Sequence, residues 1–126
     1  MDPKAFVTAF WRDVAAQDRQ ALEAYFAPGA AVFWHNTNER FSAEEYIRAN
    51  CEYPGEWRGE VERVELAGEA AISVVRVWLA DDSASFHAVS FFTFTGGVIS
   101  RLDEYWGDDG EAPEWRRKLG LGGAIR

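Results

Sequence analysis

A single cysteine, Cys51, excludes an internal disulfide, and nothing in its neighbourhood suggests a zinc cluster or a redox pair. Histidine is almost as scarce. With only His35 and His87 present, a metal centre would need further ligands converging on them, so neither a metal nor a cofactor is expected. Positive charge is also in short supply: 13 Lys and Arg stand against 21 Asp and Glu, and the net charge of -8 repels phosphate backbones and anionic membrane surfaces. Nucleic acid is therefore not an expected partner. No window approaches the roughly 18 apolar residues of a membrane span, and the opening MDPKAFVTAFWRD has no basic stretch leading into an apolar run. The expectation is a chain with no membrane partner, working in a reducing cytoplasm.

Aromatic side chains are what the sequence has in quantity. They make up 15% of the residues, six of them Trp, which is too much apolar payload for a disordered segment and suits one hydrophobic core spanning 1–126. Phe6, Val7, Phe10, Trp11 and Val14 recur at helical spacing over 4–16, behind a Pro3 whose missing N–H costs nothing in the first turn. Asp18 is placed to cap a second, shorter helix with Leu22, Tyr25 and Phe26, ended by Pro28-Gly29. Residues 30–35 are apolar and rich in β-formers and read as a strand, and the polar stretch 36–40 reads as loop. Ser42 lies three residues before Glu45 in a capping-box pattern, opening a third helix that carries Tyr46, Ile47 and Asn50 and stops before Pro54.

From Trp57 onward the hydrophobic period changes to two, and a meander follows with strands over 57–66, 70–80, 84–95 and 98–106. Strands this long coil and curve, which gives the sheet a concave side. The tail after Trp106 is rich in Gly and acidic residues and reads as irregular, with room for one turn at 113–119.

The order helix, helix, strand, helix and then a meander of long strands is shared with a known group. It is carried by Gln17-Asp18 through Ala27-Pro28-Gly29-Ala30, by Phe41-Ser42-Ala43-Glu44-Glu45-Tyr46-Ile47, and by Gly97-Val98-Ile99 leading into Asp103-Glu104-Tyr105-Trp106. With these segments in this order, nearly the whole chain resembles the nuclear transport factor 2-like superfamily, and within it the SnoaL-like group. Each segment is a weak motif alone. The resemblance implies an α+β, cystatin-like cone: a curved antiparallel sheet lines a pocket with its concave face, three N-terminal helices cover it, and dimers commonly form through the outer face. That scaffold hosts isomerases, dehydratases, epoxide hydrolases, polyketide cyclases and non-catalytic binders, so the fold does not give the function.

Alternation along the strands sorts the candidates. On the last strand Leu102, Glu104 and Trp106 share one face and Arg101, Asp103 and Tyr105 the other; the resemblance implies that the first set points inward. Glu104 is then a carboxyl group in an apolar cavity, where burial raises its pKa toward the range useful for proton transfer. The alternative is an ion-paired rim or interface residue. On strand 84–95, Ala88, Ser90, Phe92 and Phe94 face one way and His87, Val89, Phe91 and Thr93 the other. Both faces are largely apolar, which suggests a pocket on one side and a homodimer contact through the sheet on the other.

The isomerase branch of the family carries a pocket acid where this sequence has Ser90, a general base where it has Trp34, and a pocket tyrosine where it has Phe10. All three are missing, so that reaction is disfavoured. The Asp-Arg-Asp relay of the epoxide-hydrolase branch is not evident either, although Arg76 with Glu104 would mimic part of it if Arg76 pointed inward. Phe10, Trp34, Tyr46, Phe92 and Trp106 fall where the family's pocket lies and favour a flat or apolar small-molecule ligand held by stacking. The competing reading is that these rings simply fill the cone. Asn36, with His35, Asn38 and Glu39, is a secondary candidate for orienting a ligand at the mouth, against the plainer reading of a solvated loop. Three hypotheses follow: an enzyme of isomerase, hydrolase or cyclase type using Glu104 as proton shuttle, a non-catalytic binder, and a dimeric interaction domain with a vestigial pocket.

Overall fold

Local chemistry starts the first three helices close to where the sequence places them. In the computed structural model, which describes residues 1–126, the Asp2 carboxylate accepts from the backbone N–H groups of Lys4 and Ala5 and opens α1 (Pro3–Ala15). Asp18 caps α2 (Arg19–Glu23), and Ser42 with Glu45 forms a reciprocal capping box on α3 (Ala43–Cys51). Between and after them run β1 (Phe26–Trp34), β2 (Glu39–Ser42), β3 (Trp57–Ala67), β4 (Ala70–Leu79), β5 (Ser85–Thr95) and β6 (Val98–Asp108). A last helix, α4 (Glu114–Lys118), buries none of its residues.

The six strands form one curved, unclosed sheet in the order β2-β1-β6-β5-β4-β3. The α+β fold class of the sequence reading holds, with three corrections. The sheet is mixed rather than antiparallel, because β1 runs parallel to β6. Alternation fixes which side chains share a face and is blind to the direction of a partner from the far end of the chain. The second correction concerns Pro28-Gly29, which kinks a strand instead of ending a helix. α2 stops at Glu23, β1 begins at Phe26, and Gly29 at φ 75° sits in a register shift between Phe26 and Ala31. Finally, the stretch expected as loop at 36–40 is only partly so. Asn38 takes φ 56°, and the chain turns straight back into β2, with Trp34 opposite Glu39 and Ala31 opposite Ser42.

α1 packs on β3 and β4, and α3 packs on β1 and β2. The Gln17 side chain, at the end of α1, donates to the backbone carbonyls of Asn50 and Tyr53 at 2.8 Å each and ties the first helix to the exit of the third. Strand β4 shows the sorting of its two faces most cleanly, burying Ala71, Ser73, Val75 and Val77 in strict alternation. Phe10 is the centre of the packed end, edge-on to Phe92 at 5.5 Å and stacked on Tyr46 at 6.3 Å. No helix is long and apolar enough to cross a membrane.

Candidate functional site

A polar row crosses the inner face of the sheet. Trp34 on β1 sits opposite Glu104 on β6, Glu104 opposite Ser90 on β5, and Ser90 opposite Ser73 on β4. Ser73, Ser90 and Glu104 are all buried, Glu104 with 3% of its surface exposed. Hydrogen bonds satisfy the row, as burial demands. Trp34 Nε1 donates to Glu104 Oε1 at 3.1 Å, Ser90 Oγ donates to Glu104 Oε2, and Trp11 Nε1 reaches from α1 to Ser73 Oγ at 3.0 Å.

This row divides the molecule. On one side, Phe92, Leu102, Ile99 and Phe10 belong to one packed core and are wholly buried. On the other, the same strands continue with Ala88, Trp106 and Val77, and the small Ala88 leaves room for a cavity of about 330 Å³. Its wall includes Glu104, Trp34, Trp106 and Tyr46, with Phe86 on β5 and Trp11 on α1. The rings meet at steep angles: Trp34 lies 6.3 Å from Trp106 at 81° and 6.1 Å from Tyr46 at 78°. Asn50 also lines the cavity, as do the exposed residues Glu39, Tyr53 and Asp108. A larger, shallower surface depression beside α2 and Pro28 contains none of the polar row.

Burial pushes the Glu104 carboxyl above its ordinary value, against the opposing pull of Ser90, Trp34 and Tyr46, which favour the charged form. The Tyr46 phenol lies near enough to act on that carboxyl as a donor, although no direct bond closes between them. Burial first, and Glu104 second, hold the Tyr46 hydroxyl well above its usual range. The arrangement is a protonatable carboxyl at the floor of an aromatic hollow, with no Lys, Arg or His on the wall.

Five of the residues singled out from the sequence come together on this wall: Trp34, Tyr46, Glu104 and Trp106, with Glu39 from the cluster expected at the mouth. Ser90 lies behind it, bonded to Glu104. Phe10 and Phe92 are not on it, since both are wholly buried in the packed half, where helix α1 covers the sheet. Asn36 also lies outside. Its side chain accepts from the Trp106 N–H at 2.8 Å and donates to the Trp106 carbonyl, clamping the end of β6 from the adjoining turn. Arg76 points to the opposite face, 4.4 Å over the Trp78 ring and 3.2 Å from Ser85 Oγ, so no Arg76–Glu104 relay exists. Among the residues the sequence reading missed, Phe86 and Asp108 extend the same alternating sets that contain Ala88 and Trp106. Carrying the period of two to the strand ends would have found them.

On the outer face His87 bridges Asp109, at 2.5 Å from Nδ1, and Glu62, at 3.1 Å from Nε2. No group of three or more His, Cys, Asp or Glu side chains is arranged to hold a metal ion.

No protein-family model and no curated protein matches the sequence. Solved structures do match the fold. A candidate ketosteroid isomerase from Kribbella flavida is 24% identical and superposes with a TM-score of 0.79 over 97% of this chain and 89% of its own. A nuclear transport factor 2-like protein of unknown function from Burkholderia xenovorans is 22% identical, with a TM-score of 0.75 over 96% and 94% of the two chains. A candidate SnoaL-like polyketide cyclase from a Jannaschia species is 19% identical, with a TM-score of 0.69 over 84% and 89%. At these identities the likeness establishes the architecture and leaves the chemistry to the residues.

Proposed function

We propose that this chain, which has the nuclear transport factor 2-like fold, binds a small organic molecule in the cavity beside Glu104 and exchanges a proton with it through the Glu104 carboxyl. One observation carries the reading: a carboxyl that is almost wholly buried borders an open, aromatic-walled hollow and has no cationic partner there. A purely structural glutamate would be expected in an ion pair or at the surface. The reaction class is acid or base catalysis of isomerase, hydrolase or cyclase type, without the isomerase branch's own trio, since Trp34, Ser90 and Phe10 stand in those places.

The test compares the chain with Glu104→Gln on epoxides, enones and β-dicarbonyl compounds. Expected is turnover governed by one carboxyl group, falling by about 10²-fold or more in the variant while the ligand still binds. Equal turnover in both proteins refutes the proton exchange. A second reading, binding without catalysis, is favoured by the lack of any second acid or base bonded to Glu104. It predicts tight ligands and no turnover in either protein.

We also propose that two copies pair through the outer face. Phe91 and Tyr105 support this, being 42% and 45% exposed there side by side, with ring centroids 6.0 Å apart. Sedimentation of Tyr105→Glu should show a smaller particle than the parent chain, and a monomeric parent at micromolar concentration contradicts the pairing.

A further inference from the structure

The hydrogen-bonding balance of the cavity wall is lopsided. Several of its donors are already engaged inside the protein, Trp34 Nε1 on Glu104, Trp11 Nε1 on Ser73, Asn50 Nδ2 on the Tyr46 carbonyl at 2.8 Å and Thr37 Oγ1 on Glu39 at 2.6 Å, which leaves the Tyr46 and Tyr53 hydroxyls and the Trp106 indole N–H. Acceptors remain, and three of them belong to carboxyl groups, Glu39, Glu104 and Asp108, with no basic side chain to balance them. An anionic ligand would meet repulsion and find few donors. A neutral ligand would leave the carboxyl groups as they are.

The rings point the same way. The chain stacks arginine on aromatic rings four times, at Phe33 twice, Trp78 and Trp115, and none of those rings borders the cavity. The cavity's own rings, Trp34, Trp106 and Tyr46 among them, have no cation of the protein's over them, and they meet at steep angles like the sides of a box. Indole and phenol faces attract positive charge through their quadrupoles, most strongly where water is excluded.

We infer that the cavity takes a small organic cation, an alkylammonium group seated against the aromatic wall with Glu104 as its counter-charge. This rests on the cavity being a ligand site, as proposed above, and adds the class of ligand. The cation stabilises ionised Glu104, so binding drives the carboxyl's proton into solution. The other titratable groups on the cavity are Tyr46 and Tyr53 from the α3 side, Glu39 from β2 and Asp108 from the end of β6. All are acids, and none opposes the cation once ionised.

The experiment is isothermal titration calorimetry on the full chain with four probes: choline, tetramethylammonium, the neutral choline isostere 3,3-dimethylbutan-1-ol, and the anion benzoate. Choline and tetramethylammonium are expected to bind about tenfold or more tightly than the isostere, with benzoate weakest. In Glu104→Gln choline should lose about tenfold in affinity while the isostere moves less than about twofold. Choline affinity should rise with pH as Glu104 ionises, and the heat should vary with the buffer's ionisation enthalpy. Asp108→Asn, at an exposed position, should weaken choline and tetramethylammonium and leave the isostere unchanged, and it decides the matter if Glu104→Gln fails to fold. An isostere that equals choline, or benzoate binding best, overturns the cation class and leaves the ligand site standing. Silence from all four probes also overturns it, and reaches the ligand site itself if a neutral aromatic series is silent too.

Discussion

Hydrogen-bond donors oppose burial at both buried carboxyl groups of this molecule, Glu104 and Asp13. Ser90 gives Glu104 one of its hydrogen bonds. Ser90→Ala therefore removes a group that favours the charged form, and the Glu104 pKa, already raised, should rise further in a carbon-detected NMR titration. The second case is Asp13, buried on α1, which accepts from the Tyr25 hydroxyl at 2.5 Å. That bond is the largest influence holding the Asp13 carboxyl below its ordinary value, while burial together with the Asp13 partnership pushes the Tyr25 phenol up to about 12. Asp13 thus contributes stability that is present above its unfolded pKa and lost as pH falls through the lower folded one. Tyr25→Phe should cost about 1–3 kcal/mol by denaturant unfolding at neutral pH, and that difference should shrink in acid. Alternation put Glu104 on one face with Leu102 and Trp106, and the family resemblance, not the pattern itself, implied that this face points inward. The Asp13–Tyr25 pair was not legible, since it joins α1 to the turn between α2 and β1, whose relative placement no local pattern records.

Elements were read best where chemistry is local. The capping box at Ser42 and Glu45 and the glycine turn at Gly96-Gly97, both at positive φ, fell where expected. The kinked start of β1 and the short β2 did not, because Pro28-Gly29 and Asn38 signal a change of direction without saying which element resumes after it. His87 supplies a test at this scale, as it ties β5 to Glu62 of β3 and to Asp109 just past β6. The Asp109 bond is the main influence raising the His87 pKa above its ordinary 6.5. A raised histidine pKa contributes stability that is complete below pH 6.5 and fades as pH climbs through the higher folded value. In His87→Gln that pH-dependent part should vanish from thermal unfolding followed between about pH 5 and 9. An unchanged pH profile contradicts the bridge.

At the scale of the whole molecule, one sheet serves two purposes on either side of its polar row. The packed half should respond as a core does: Phe92→Ala is expected to cost about 3–5 kcal/mol. The hollow half should tolerate added volume, so Ala88→Leu should leave stability within about 1 kcal/mol and abolish ligand binding. Steep destabilisation by Ala88→Leu would mean the hollow is not available space. The family resemblance implied a cone and an inward Glu104, but not how far the rings would fill it. Filling depends on which layer of each strand receives the small residue, and that follows from register, which alternation alone leaves open.

Every proposal for the hollow depends on Glu104 being a desolvated carboxyl at its floor. The decisive measurement follows the Glu104 side-chain carbon through a pH titration of the free protein. Titration above the ordinary value of 4.5, with the Trp34 indole resonance shifting at the same midpoint, is the expected result. A midpoint at or below 4.5, uncoupled from that indole, would contradict it.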